Sequence, residues 1–162
     1  NPNTDSNAGS TQNTVNSATG YIWPLPGYST VSSDFGYRSD PFTGKQSYHS
    51  GIDIPAPAGT RIVAAASGQV AWGNYSTTAG SGTVEWANYS TTAGNWIGIN
   101  HGNGVYTVYM HCSALIVSAG QNVSAGDVIG LVGTTGSSTG NHLHFSVRLN
   151  GAYVSPWNYV SK

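Results

Sequence analysis

From Tyr21 onward the chain alternates apolar and polar residues in short runs, and Gly, Asn or Ser interrupts nearly every run. This pattern narrows the choice of fold more than any other feature. A period of two puts apolar side chains on one face of a strand, and no stretch shows the 3.6-residue period of an amphipathic helix. Six segments fit strands: residues 61–65, 68–73, 96–100, 105–111, 128–132 and 143–149. The HGNG at 101–104 and Asn150-Gly151 are turn signals between them, and Gly126-Asp127 marks a strand entry. The 22 glycines, with many Ser, Thr, Asn, Tyr and Val, supply turns and β-formers. Long stretches of Ala, Glu, Lys and Leu are missing. The expectation is a mostly β, antiparallel domain with few or no helices, and 162 residues suffice for one such domain with a real core.

Residues 1–20 carry almost nothing apolar that could offset the entropy of folding. They read as a flexible polar linker, with the domain spanning 21–162. Such a linker implies something upstream, for instance a membrane anchor, a helical stalk or a wall-binding module. One internal repeat interrupts the strand pattern: WGNYSTTAG at 72–80 returns as WANYSTTAG at 86–94. Two copies are too few for a solenoid, so a local duplication that lengthens a hairpin or loop is expected. Charged residues make up 7% of the chain and the net charge is −1, so there is no basic patch to track the phosphates of a nucleic acid. No apolar run is long enough to span a bilayer. Cys112 is the only cysteine, which rules out an intrachain disulfide. It reads as a small buried hydrophobe rather than a reactive thiol.

The chemistry rests on histidine. Glutamate occurs once, as Glu85, so no helical H-E-x-x-H zinc site can be written and any proton carrier has to be sought elsewhere. The five histidines are His49, His101, His111, His142 and His144. His49 and Asp53 belong to HSGID, a spacing that brings imidazole and carboxylate to one metal if the chain is extended or lightly kinked at Gly51. His142 and His144 lie two apart, which on a strand sends both imidazoles to one side while Leu143 and Phe145 face the core. His111 ends the 105–111 run, where alternation places it on one face with Tyr109, opposite Val108 and Met110. His101 sits in the HGNG turn and reads as structural or solvent-exposed. Two neutral histidines and an aspartate would leave Zn²⁺ with a net charge of about +1 and a fourth position open for water. Zinc lowers the pKa of that water from 15.7 to about 7. Two further histidines could then move protons and steady an oxyanion. Spacing alone leaves His142 and His144 interchangeable as the ligand.

Several segments together resemble a known family. They are SDFGYR at 33–38, DPFTGK at 40–45, HSGIDIPAPAGT at 49–60, ASGQV at 66–70, YMHCS at 109–113, VSAGDVIG at 123–130 and GNHLHF at 140–145. Their order and spacing resemble the lysostaphin-like, M23-type zinc metallopeptidases across roughly residues 21–160. The resemblance implies a compact antiparallel β-sheet domain with a substrate groove. It implies one zinc ion on His49, Asp53 and His144, with His111 and His142 as the catalytic histidines. It also implies a peptidoglycan peptide as substrate, rich in glycine and D-amino acids, and therefore an extracytoplasmic bacterial location. Arg38 and Tyr109 are the expected substrate contacts, and a monomer is expected. Two positions depart from the family pattern: Ser146, where many members carry Glu, and Cys112, where Leu is common. The competing readings are a catalytically silent wall-binding or scaffold module of the same fold, and a zinc store or sensor, which would more commonly use thiolates.

Overall fold

The computed structural model describes residues 14–39, 43–74, 93–136, 138 and 140–162. A small hairpin comes first, in which β1 (Gly36–Ser39) and β2 (Gln46–His49) pair antiparallel with Gly36 opposite His49. The main sheet comprises β3 (Ile52–Pro55), β4 (Arg61–Val63), β5 (Gly68–Asn74), β6 (Asn95–Gly102), β7 (Val105–Leu115), β8 (Asn122–Val123), β9 (Val128–Val132), β10 (His142–Leu149) and β11 (Ala152–Val154). Its path runs β11-β10-β7-β6-β5-β8, while β3 joins β10, and β9 joins β4 and β7. Every pairing among these strands is antiparallel. The only helical element among the described residues is a 3-10 turn, Pro156–Asn158. The expected fold class, an antiparallel mostly-β domain, is the one observed.

The six expected runs coincide with β4, β5, β6, β7, β9 and β10. The hairpin signals also hold. Asn150 and Gly151 adopt φ of 52° and 89°, the pair of positive values that a tight type I′ connection between β10 and β11 demands. The core forms where the alternation predicts it. Leu143, Phe145 and Val147 of β10 are fully buried against Ile52 and Ile54 of β3, Ile97 and Ile99 of β6, and Tyr109 of β7. The other face of β10 presents His142, His144 and Ser146.

One expectation is revised. Residues 14–20 fall within the stretch read as linker, yet they form a turn pinned by Asn16, whose carbonyl accepts from the amides of Thr19 and Gly20. The Thr19 hydroxyl then donates to the Tyr159 carbonyl, and Val15 bridges Ile22. Backbone hydrogen bonds, rather than apolar burial, hold this segment, which is why its composition gave no sign of order. The ordered fold therefore reaches back to Thr14. The expectation for the repeat at 72–94 falls largely outside the described residues. The ends of the repeat lie on β5 and just before β6, and residues 75–92, with Glu85, lie outside the described residues.

Candidate metal centre

The site is built by register. Asp53 on β3 is the direct cross-strand partner of His144 on β10, so both side chains stand on the same face of the sheet. His49 ends β2 at the edge of the small hairpin. The kink at Ser50-Gly51 returns the chain into β3, which carries Asp53 four residues after His49. One ligand atom from each of His49, Asp53 and His144 lies within 4.8 Å of the others. The Oδ1 of Asp53 is 2.8 Å from His144 Nδ1 and 3.3 Å from His49 Nε2. His49 and His144 are buried, and Asp53 is half-buried.

His111 reaches this face by an exception to the strand pattern. Along β7, Tyr109 pairs with Phe145 and Met110 with His144. Strict alternation would therefore send His111 to the core side with Tyr109. Instead His111 has φ of 68°, and the β7–β9 register slips just beyond it. Its ring lies 4.9 Å from that of His142 and 6.2 Å from that of His144, centroid to centroid. A left-handed conformation costs a non-glycine residue roughly 1–2 kcal/mol. Here it is held by bonds on both sides of the residue: His111 N donates to the Ala93 carbonyl, and Nδ1 bonds the Thr135 carbonyl at 2.7 Å. The Thr135 hydroxyl bonds Asn95 N and the Cys112 carbonyl, which ties the loop after β9 to the bulge.

The same exception corrects the expectation for Tyr109. It does not share a face with His111 and makes no surface available to a substrate. It is fully buried, its ring tilted against that of Phe145, with its hydroxyl bonded to Ala65 N and Thr107. Burial pushes its phenol pKa up, so it stays neutral. Arg38 is exposed, and its guanidinium donates to the Ser33 hydroxyl, which in turn lies 3.3 Å from His49 Nδ1. His101 is structural: it spans from the Ser67 carbonyl to the Thr107 hydroxyl, and burial lowers its pKa against the pull of that carbonyl. Cys112 is buried, with its thiol pushed up to about 12 by burial.

Backbone carbonyls set the tautomers. A carbonyl only accepts, so a ring nitrogen bonded to one carries the proton and leaves the other nitrogen as a lone pair. His49 Nδ1 is 2.8 Å from the Asp34 carbonyl, and His142 Nδ1 is 2.9 Å from the Gly140 carbonyl. With His111 on Thr135, three of the four site histidines thus keep Nε2 free. Burial lowers the His111 pKa, and the neighbouring His142 and His144 lower it further, against the opposing Thr135 carbonyl. His111 is therefore neutral near pH 7 and able to accept a proton. Burial alone would raise the pKa of Asp53, but hydrogen bonds from His144 and His49 outweigh it and hold the carboxyl well below its usual range. The centre thus offers an ionised carboxylate between two imidazoles. That donor set suits zinc, and nothing in it requires a soft thiolate.

Comparison with known proteins identifies the family. The family model for peptidase family M23 matches residues 47–156, and the chain belongs to that family. It is 41% identical over 133 residues to the DD-carboxypeptidase/endopeptidase Mpg of Neisseria meningitidis, covering 80% of this chain and 26% of the relative. It is 37% identical over 127 residues to the peptidoglycan DD-endopeptidase ShyC of Vibrio cholerae, covering 78% of this chain and 26% of the relative. The chain thus spans about a quarter of the length of these relatives. Among solved structures, it superposes on the catalytic domain of the antimicrobial peptidase lysostaphin from Staphylococcus simulans with a TM-score of 0.63 and 28% identity, covering 80% of this chain and 90% of that one. A zinc-containing peptidase from Vibrio cholerae gives a TM-score of 0.69 at 26% identity, covering 90% of this chain and 45% of that one.

Proposed function

We propose that this chain is a zinc-dependent endopeptidase that hydrolyses peptide bonds of bacterial peptidoglycan, acting outside the cytoplasm. One observation carries the reading: His49, Asp53 and His144 converge within 4.8 Å, with His111 and His142 beside them on the same face. The names of the relatives, a DD-carboxypeptidase/endopeptidase and a peptidoglycan DD-endopeptidase, support peptidoglycan as the substrate class. Bound by the three ligands, zinc would supply a Lewis acid and a water acidified to a pKa of about 7.

The protein's own residues then divide the work. His49 presents Nε2 to the metal because Asp34 holds its Nδ1 proton. Asp53 contributes the one negative charge. His111, neutral with Nε2 free, takes the proton of the attacking water. His142 Nε2 faces the same space, 3.6 Å from Asp53 Oδ1, where His142 would steady the oxyanion of the tetrahedral intermediate. Arg38 lies beside His49 with its guanidinium exposed, placed to meet a carboxylate of the wall peptide.

The test is digestion of purified peptidoglycan from several wall types, with release of peptides followed by mass spectrometry. The zinc-loaded chain should release fragments, and a chelator should stop it. His111→Ala and His142→Ala should each lower the rate by about 10²-fold or more while zinc stays bound. His49→Ala and Asp53→Ala should lose zinc as well. A fully zinc-loaded chain that releases nothing from any wall type would overturn the reading.

A further inference from the structure

Of the four histidines at the site, His144 alone has no backbone carbonyl on its ring. Its Nδ1 faces the Asp53 carboxylate at 2.8 Å, and its Nε2 faces the Ser146 hydroxyl at 2.9 Å. Ser146 is fully buried on β10, two residues beyond His144 on the same face. The space for this contact exists because residue 51 is glycine. A Cβ there would sit 2.5 Å from Ser146 Oγ, 2.9 Å from His144 Nε2 and 2.3 Å from the Phe145 carbonyl.

The chemistry of the two partners is asymmetric. The Asp53 carboxylate only accepts, so without a metal the proton of a neutral His144 belongs on Nδ1, toward Asp53. Nε2 is then an acceptor, and the Ser146 hydroxyl donates to it. A metal held jointly with Asp53 needs the Nδ1 lone pair, so the proton has to move to Nε2. The Ser146 hydroxyl can then rotate and accept. A hydroxyl both donates and accepts, so one side chain satisfies either tautomer, whereas the backbone carbonyls behind His49, His111 and His142 permit one tautomer each.

We propose that Ser146 is a positioning residue for the metal centre, a reversible hydrogen-bond partner that lets His144 pass from the Nδ1–H form to the Nε2–H form and so ligate through Nδ1. The proposal rests on the zinc reading above. Ser146 touches neither substrate nor metal, and it acts through the ring of His144. Removing the hydroxyl leaves the Nε2 proton of the metal-bound form without an acceptor in a buried place. Loss of an outer hydrogen-bond partner of this kind typically weakens metal binding by about 10–100-fold.

Two measurements test it. The first is zinc affinity of the wild-type chain and of Ser146→Ala, by competition with a fluorescent chelator. The variant should bind about 10–100-fold more weakly. The second uses ¹⁵N-histidine-labelled wild-type protein, so it does not depend on how any variant folds. Long-range ¹H–¹⁵N spectra should show His144 as the Nδ1–H tautomer without metal and as Nε2–H, metal on Nδ1, with zinc. Equal affinities in a zinc-binding wild type and Ser146→Ala, or zinc on Nε2 of His144, would overturn this proposal and leave the metal site standing. A wild-type chain that binds no zinc would remove the metal site, and this proposal with it.

Discussion

At the scale of single residues, a contest between burial and hydrogen bonding governs the centre. Burial works against a charge on His49, but its hydrogen bonds to Asp53 and to the Asp34 carbonyl outweigh that, and the nearby Arg38 charge opposes only weakly, so the pKa rises above its ordinary 6.5. In the charged form of His49, Nε2 carries the second proton toward Asp53, and zinc has to displace it. The sign follows directly. Below the raised pKa of His49, zinc competes with a bound proton; above it, zinc does not. Apparent zinc affinity should therefore climb as pH rises through 6.5 and continue to climb beyond it, by roughly tenfold per unit where one proton is displaced. Chelator competition between pH 5.5 and 8.5 reads this, and calorimetry in two buffers of different ionisation enthalpy counts the released proton. An affinity flat from pH 6 to 8 would show that His49 holds no such proton. Strand spacing and residue type made His49, Asp53 and the pair His142 and His144 legible as a candidate metal cluster, while the choice of His144 came only from the family resemblance. The anchors of His49, His111 and His142 were not, since the Asp34, Thr135 and Gly140 contacts come from backbone carbonyls, which every residue type has.

Among the elements, legibility followed length and burial. The runs of β6, β7 and β10 were legible because each is eight or more residues long and carries five buried residues. The strands that escaped notice, β1, β2, β3, β8 and β11, have two to four residues each. In β1 and β2 most residues are exposed, and β3 ends in Pro55, a residue that weighs against a strand in any reading by composition. The bulge at His111 was hidden for another reason. A positive φ is usually announced by Gly or Asn, and here it falls on a histidine that the site needs. Alternation therefore grouped Tyr109 with His111, and the structure separates them. A prediction tests the strain. His111→Ala and His111→Gly should both lose activity, but the glycine variant should be the more stable by about 1 kcal/mol, because it accepts φ of 68° without a Cβ clash. Denaturant unfolding of the two metal-free variants measures the difference. If the alanine variant is equally or more stable, the backbone has relaxed and the bulge is not imposed by its surroundings.

For the whole molecule, the sheet and its terminal segments act as one frame around an unequal cluster of ligands. The N-terminal turn reaches Tyr159 through Thr19, and the Trp23 ring stacks on Trp157 with centroids 5.8 Å apart. The β-core beneath the site is apolar and continuous, so it should fold without metal. The ligands come from the small hairpin, β3 and β10, so a metal would fasten three elements that otherwise meet through side-chain contacts. Anything that binds the folded state alone stabilises it, by about 2.7 kcal/mol at a free concentration 100 times its Kd. For a domain of this size that corresponds to a rise in Tm of roughly 5–10 °C. The wild type should show this shift between chelator and zinc. His111→Ala should show nearly the same shift from a different starting Tm, because His111 stands beside the ligand set and not in it. Asp53→Ala should show little or none, having lost the carboxylate that both His49 and His144 approach. Scanning calorimetry of the three proteins separates the roles without any substrate. An unchanged wild-type Tm on adding zinc would count against the metal centre, while a lost shift in His111→Ala would place His111 among the ligands.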